Sequence, residues 1–259
     1  HQIVYGLIPG LILFFVLSKV DYRFLKKKSS LIFMGCLVLL ILVFVPGVGA
    51  IYNQARSWVN IAGFSLQPSE IMKLGLIIYL AAWATKNKAN VRSLTGGLFP
   101  FLLVTALVSS LVAIQPDMGT MMIIILIAVV IYFVSGAKWS HIVALFIAGV
   151  LGILSLIKIA PYRMQRLTVF IDPSVDPQGI GYHINQALLA IGTGGFFGLG
   201  FGHSRQKFQY LPEVAGDSIF AVMAEELGFI VATLFIIIFI ILVLKLIRFA
   251  KETNDDFIK

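Results

Sequence analysis

A single carboxylate, Asp217, stands immediately before the apolar run that begins at Ser218, and two more acids, Glu225 and Glu226, fall inside that run. A carboxylate placed there has two uses. It can cap the helix by accepting a backbone N–H, which depresses its basicity, or it can stay uncommitted and take a proton from a substrate hydroxyl as a general base. Both uses are open for Asp217. Ionisable groups as deep as Glu225 and Glu226 face a cavity or an ion partner as a rule. Neighbouring helical positions point in different directions, so at most one of the two is expected to share the partner of Asp217. The stretch 158–218 also holds Lys158, Arg163, Arg166, Arg205 and Lys207 together with Glu213. Basic side chains gathered beside a potential base suit an anionic substrate or leaving group.

A second polar cluster lies upstream. Arg56 precedes Trp58, an aromatic suited to the headgroup level of a bilayer. QPSEIMK follows at 67–73, where Pro68 and Ser69 read as a helix start. Glu70 and Lys73 are spaced i,i+3, so they can pair on one face or leave Lys73 to an anion. Asp117, in QPDMG, is placed to cap a helix beginning near Gly119. Gly192, Gly194, Gly195, Gly198, Gly200 and Gly202 match neither a Walker loop nor a dinucleotide fingerprint; they suit close helix packing, a re-entrant segment or a phosphate nest. Metal chemistry has no visible ligand set. His141, His183 and His203 are scattered, and Cys36 is the only cysteine, which excludes an intrachain disulfide and cysteine-ligated zinc or iron–sulfur centres.

The elements that must carry these groups are membrane helices. Residues of the set AVILMFWYC make up 59% of the chain and charged residues only 12%. The apolar ones come in blocks rather than alternating, which excludes a soluble globular domain. Blocks 3–18, 30–45, 71–85, 97–114, 119–135, 141–157 and 219–247 predict an all-α polytopic integral membrane helix bundle, a single transmembrane domain over 1–259 with about seven spans. Lys19, Arg23, Lys26, Lys27 and Lys28, then Lys86, Lys88 and Arg92, then Lys138, and finally Lys245, Arg248, Lys251 and Lys259 all fall on one side of such a bundle. The positive-inside rule makes that side cytoplasmic, and the long connections 46–70 and 158–218 face outward. The net charge of +8 is spread over short loops and leaves no broad basic face, so nucleic acid is excluded as a partner.

Four stretches resemble the FtsW, RodA and SpoVE family of shape, elongation, division and sporulation proteins: ARSWVNIAGFSLQPSEIMK at 55–73, QPDMGT at 115–120, PYRMQRLTVFIDPSVDPQGIGY at 161–182 and ALLAIGTGGFFGLGFGHSRQKFQYLPEVAGDSIFAVMAEELGF at 187–229. They follow the family's order, and the resemblance covers most of the chain. The third and fourth stretches look nearest the division member, FtsW. Members carry further helices at both ends, so the chain is expected to be a central fragment lacking the first and last helices.

The resemblance implies a glycosyltransferase that polymerises lipid II into β-1,4-linked glycan strands at the outer face of the bacterial cytoplasmic membrane. Such transfer inverts the anomeric carbon and releases undecaprenyl diphosphate. The family's base would fall on Asp217, and stabilisation of the diphosphate on Arg56, Lys73, Arg163, Arg166, Arg205 and Lys207, with Glu70, Asp117, Glu213, Glu225 and Glu226 in supporting roles. The implied partners are lipid II, a class B penicillin-binding transpeptidase and other division or elongation complex proteins. A divalent cation, Mg or Mn, suits a diphosphate leaving group; no spacing identifies its ligands, and no other cofactor is implied. Two alternatives stand beside this reading: a lipid II flippase, which needs charged groups lining a path through the bilayer, and a non-catalytic scaffold of a division complex. The polar groups concentrate outside the spans, which favours surface catalysis. Members commonly read His-Thr-Asp-Phe where this chain has Ala215, Gly216, Asp217 and Ser218, and paired arginines where it has Arg56 and Ser57. The carboxylate is kept while its neighbours change.

Overall fold

The computed structural model describes residues 6–52, 55–61, 64–159, 162–214 and 216–258. The side chains of Arg56 and Arg163 lie outside what is described. Among the described residues the chain is helical apart from one small sheet, and it divides into two compact units: His1–Phe146 with Thr253–Lys259, and Ile147–Glu252.

The first unit holds α1 (Ile8–Ser18), α2 (Tyr22–Leu42), α3 (Pro68–Lys86), α4 (Phe99–Ile114), α5 (Met118–Val134) and the first turns of α6 (Trp139–Ile159). Local chemistry sets the helix starts. Asp21 accepts the Arg23 N–H at 2.9 Å, and Pro68 opens α3, with Glu70 in its first turn and Lys86 in its last, both matched to the helix dipole. Asp117 accepts the Thr120 N–H at 3.1 Å and so caps α5. Phe33, Leu37 and Leu40 of α2 bury against Met72, Leu76 and Leu80 of α3, Phe101, Val108 and Val112 of α4, and Ile124 and Ala128 of α5. α2 and α3 pack tightly at Gly75, where an added Cβ would meet the free, buried thiol of Cys36; small residues at such contacts are how membrane helices pack. The outer faces expose Phe14, Leu126 and Phe146, as a lipid-facing surface must.

Among the described residues each apolar block coincides largely with a helix. Leu94–Ile114 and Ile219–Glu252 are long and apolar enough to cross a bilayer on length and composition alone, whereas α1, α5 and the part Trp139–Ser155 of α6 are apolar but shorter. The connection 46–70, read from sequence only as a long polar connection, has structure of its own. It forms an antiparallel sheet, β1 (Gly49–Tyr52), β2 (Ala55–Ile61) and β3 (Phe64–Leu66), in the order β1-β2-β3. Trp58 lies opposite Ala50, and Val59 opposite Leu66. Ser57 and Val59 are buried while Asn60 is exposed, the period-2 alternation of a half-buried strand, too short within a membrane chain to stand out from sequence.

The opposite end of this unit gathers the basic stretches. Lys26 pairs with Asp255 at 3.4 Å and Lys88 with Asp256 at 2.6 Å. Arg92 donates to the Gly136 carbonyl at 3.2 Å.

The second unit holds α7 (Tyr162–Ile171), α8 (Tyr182–Gly194), α9 (Gln206–Gln209) and α10 (Ile219–Glu252). The stretch 158–218, read from sequence as a long loop, is therefore about half helical. α10 is broken at Gly228, whose φ is +81°. The main chain of 195–200 enters the break. Phe229 N–H donates to the Gly195 carbonyl at 2.8 Å and Ile230 N–H to Phe196 at 3.3 Å, while the carbonyls of Glu225 and Glu226 accept from Leu199 at 2.9 Å and Gly200 at 3.0 Å. In an unbroken helix those four groups would bond one another, i to i−4. The helix bonds lost by these four groups are thus replaced, as apolar surroundings require. A Cβ on Gly198 or Gly228 would overlap main chain of the other segment. Of the uses open to the glycine run, close packing of an inserted stretch is the one the fold makes of it.

Candidate active site

Asp217 lies on the turn that leads into α10. The N–H groups of Gly216 and Ser218 donate to the Glu213 carbonyl at 3.0 and 3.2 Å, and Glu213 itself takes a left-handed conformation, φ +48°. Asp217 is exposed, and among the described residues its carboxylate has no hydrogen bond or ion pair. Capping, one of the two uses open to it, is not realised: the Ile219 N–H turns to the Gly216 carbonyl at 3.3 Å instead. Ser218 behaves oppositely. It is buried, its hydroxyl donates to the Pro212 carbonyl at 2.8 Å, and it meets His183 Nε2 at 2.6 Å. Beneath it, Leu211, Ala221 and Val222 pack on Ala190 of α8.

Both deep glutamates grip one segment, 202–207. Glu225 accepts from the Ser204 hydroxyl at 2.5 Å and from the N–H groups of Arg205 and Gln206 at 2.9 and 3.4 Å. Glu226 accepts from the N–H groups of Gly202 and Ser204 at 3.0 and 3.3 Å and pairs with the Lys207 ammonium. Neither is bonded to Asp217. The physical reason is that their partner is a stretch of chain, 202–207, that offers donors over several residues rather than a single side chain on one face. Of the basic candidates here, Lys207 is engaged by Glu226, whereas Arg205 and, on α7, Arg166 are exposed. Nearby, the Ser174 hydroxyl and then its N–H hold the Asp172 carboxyl below the usual carboxylate range.

The first unit holds Glu70, Lys73 and Asp117. Lys73 pairs with Glu70 at 2.7 Å. Gln67 donates to the second oxygen of Asp117 at 3.0 Å, joining the QPSE and QPD motifs. Ser69 Oγ and Gln115 Oε1 are buried without a hydrogen-bond partner among the described residues. Sequence reasoning missed Gln67, Ser204 and His183. The first two belong to motifs already singled out, but nothing in the sequence ties His183 to a serine thirty-five positions on. Among the described residues no three His, Cys, Asp or Glu side chains gather to hold a metal ion.

An uncommitted carboxylate on a turn whose neighbours Gly216 and Ser218 are bonded is suited to taking a proton. Residues 1–259 match the FtsW/RodA/SpoVE family, described as cell cycle protein. The chain belongs to this family. It is 42% identical over 246 residues to stage V sporulation protein E of Bacillus subtilis, covering 95% of this chain and 67% of that protein. It is 39% identical over 257 residues to the probable peptidoglycan glycosyltransferase FtsW of a Geobacter species, covering 99% of this chain and 70% of that one. Among solved structures it resembles a chain from work on the structural coordination of polymerization and crosslinking by a peptidoglycan synthase complex. That match has a TM-score of 0.76 and 26% identity and covers 99% of this chain and 71% of the other. Like its FtsW/RodA/SpoVE relatives, the chain is an all-α membrane protein.

Proposed function

We propose that Asp217 is the general base of this chain, a peptidoglycan glycosyltransferase of the FtsW/RodA/SpoVE family, and that its reaction is the polymerisation of lipid II. One observation carries the assignment: the carboxylate is exposed and bonded to nothing described, while Gly216 and Ser218 on either side are tied down. The 4-hydroxyl oxygen of the acceptor sugar attacks the anomeric carbon of the donor. The bond from that carbon to the diphosphate oxygen breaks, its electron pair leaves with undecaprenyl diphosphate, and the hydroxyl proton passes to Asp217. Attack opposite the leaving group turns an α-linked donor into a β-1,4-linked strand. A single base suffices, unlike glycoside hydrolysis with its carboxylate pair.

Charge develops on the departing diphosphate, where cations act best when held in place beforehand. Arg166 and Arg205, exposed in the second unit, are proposed for this role with Arg163; Arg56 and Lys73, which pairs with Glu70, are the candidates of the first unit. Lys207 reaches the diphosphate only by exchanging Glu226, and otherwise steadies the stretch that presents Arg205.

The chain is placed in the bacterial cytoplasmic membrane with Asp217 outward. In support, Lys26, Lys88 and Arg92 meet the segment 253–258 and the turn at Gly136 at one end of the first unit, the arrangement that the positive-inside rule requires of a cytoplasmic face. A class B penicillin-binding transpeptidase is the proposed partner, with other division or elongation proteins; the likeness to a chain of a peptidoglycan synthase complex supports this. A broken helix such as α10 also occurs in transporters. Here its freed amides and carbonyls are taken up by residues 195–200 rather than turned to a path, which favours catalysis over flipping.

The test is strand synthesis from purified lipid II by the full-length protein with its partner, compared with Asp217→Asn. Loss of the base is expected to lower the rate by about 10²–10⁴. Equal rates would remove Asp217 as base, and no synthesis by either protein alongside lipid II flipping would favour transport.

A further inference from the structure

We propose that His183 and Ser218 form a positioning pair that aims the Asp217 carboxylate, an inference that rests on the reading of Asp217 as the base. The hydrogen bonding fixes its own direction. The Ser218 hydroxyl lies 2.8 Å from the Pro212 carbonyl and 2.6 Å from His183 Nε2. A hydroxyl has one proton and a carbonyl can only accept, so the proton goes to Pro212 and the serine oxygen accepts from His183. Nε2 of His183 therefore carries the hydrogen. Three pieces of chain meet at one buried oxygen: α8 through His183, the 211–213 turn through Pro212, and the start of α10 through Ser218.

The backbone of Ser218 is held as firmly. Its N–H donates to Glu213 at 3.2 Å, and its carbonyl accepts from Val222 at 3.2 Å. Asp217 has no side-chain bond of its own among the described residues, so the direction of its Cα–Cβ bond is inherited from the residue that follows it. Freeing Ser218 releases that direction without touching the carboxylate. His183 thus acts through Ser218 and not on the substrate. A carboxylate misaimed by about 1 Å loses rate on the order of 10²-fold.

The experiment measures kcat and KM for glycan polymerisation from lipid II by the full-length protein with its partner. His183→Ala and Ser218→Ala are each expected to lower kcat by about 10-fold to 100-fold with KM changed less than about twofold. The double variant is expected to be no worse than either single one, because both remove the same contact. His183→Gln, whose side-chain amide N–H can donate to the same oxygen without an imidazole, is expected to keep kcat within about threefold, a rescue that a purely space-filling role for the ring would not produce. A His183→Ala protein with wild-type kcat, or a His183→Gln protein as slow as His183→Ala, overturns the pair. If His183→Ala does not accumulate, Ser218→Ala against Ser218→Thr asks the same question with the hydroxyl alone. Asp217→Asn in the same series separates the two levels. An active Asp217→Asn removes the base and the pair together, whereas an inactive Asp217→Asn beside unaffected His183→Ala and Ser218→Ala removes only the pair.

Discussion

Gly198→Ala tests the insertion of residues 195–200 into α10. A Cβ at this position would overlap the Glu226 carbonyl, main chain that cannot swing aside as a side chain can. The φ of +79° adds strain of about 1–2 kcal/mol for any residue with a Cβ. Relief of the overlap requires the inserted stretch to withdraw, which loosens the Leu199–Glu225 and Gly200–Glu226 bonds, each contributing about 0.5–1.5 kcal/mol net. Together these effects amount to about 2–5 kcal/mol, roughly a 5–15 °C fall in Tm at this chain length. Two other glycines calibrate the result. Gly202 has φ +84° but open space around it, so Gly202→Ala is expected to show strain alone, about 1–2 kcal/mol. Gly192 sits within α8 with open space and no unusual φ, so Gly192→Ala is expected to be neutral or up to about 1 kcal/mol stabilising. Thermal unfolding of the full-length protein in detergent, followed by intrinsic fluorescence, gives the order directly. A Gly198→Ala protein no less stable than Gly202→Ala would refute the insertion.

Two further expectations concern charge. The Phe257 N–H and Lys26 hold the Asp255 carboxyl below its usual range, so docking of 253–258 draws full support above the ordinary carboxylate pKa and loses it as pH falls through the lowered value. Amide hydrogen exchange of that segment should therefore be steady from about pH 7 to pH 5, once corrected for intrinsic rates, and lose protection below about pH 4; protection that rises on acidification would contradict the clasp. Lys207→Met leaves Glu226 buried without its counter-ion and is expected to destabilise by about 1–3 kcal/mol, since one-sided removal strands a charge. Adding Glu226→Gln should restore part of that in the same unfolding assay, and a double variant less stable than Lys207→Met would show that the ion pair is not what Glu226 contributes.

Much of this molecule was legible in its residues because membrane helices announce themselves by composition. The apolar blocks became helices, Asp117 fell at a helix start, and the i,i+3 spacing of Glu70 and Lys73 became an ion pair. What failed to show depends on chain segments distant in sequence. The strand Ala55–Ile61 exists because Gly49–Tyr52 and Phe64–Leu66 lie beside it, and its own alternation is too brief to announce it. The stretch 158–218 looked like one loop because its helices are short and interrupted by glycine and proline. The break in α10 gave no warning beyond one glycine, since the partners that make it tolerable are some thirty residues upstream.

The site divides along the same line. Residue types alone determined that Asp217 stands at the mouth of an apolar helix, that Glu225 and Glu226 follow within it, and that basic residues lie in the stretch before it; side-chain chemistry and helical spacing need nothing else. Whether Asp217 would cap the helix or stay free was open, because a cap is decided by where a few N–H groups point. Tertiary structure settled it by turning the Ile219 N–H to Gly216 and binding Ser218 to Pro212 and His183. It likewise committed both glutamates to 202–207. Hydrogen bonds are directional and short, so which acid is spent on structure and which is left for chemistry is a property of the packed chain and not of its composition.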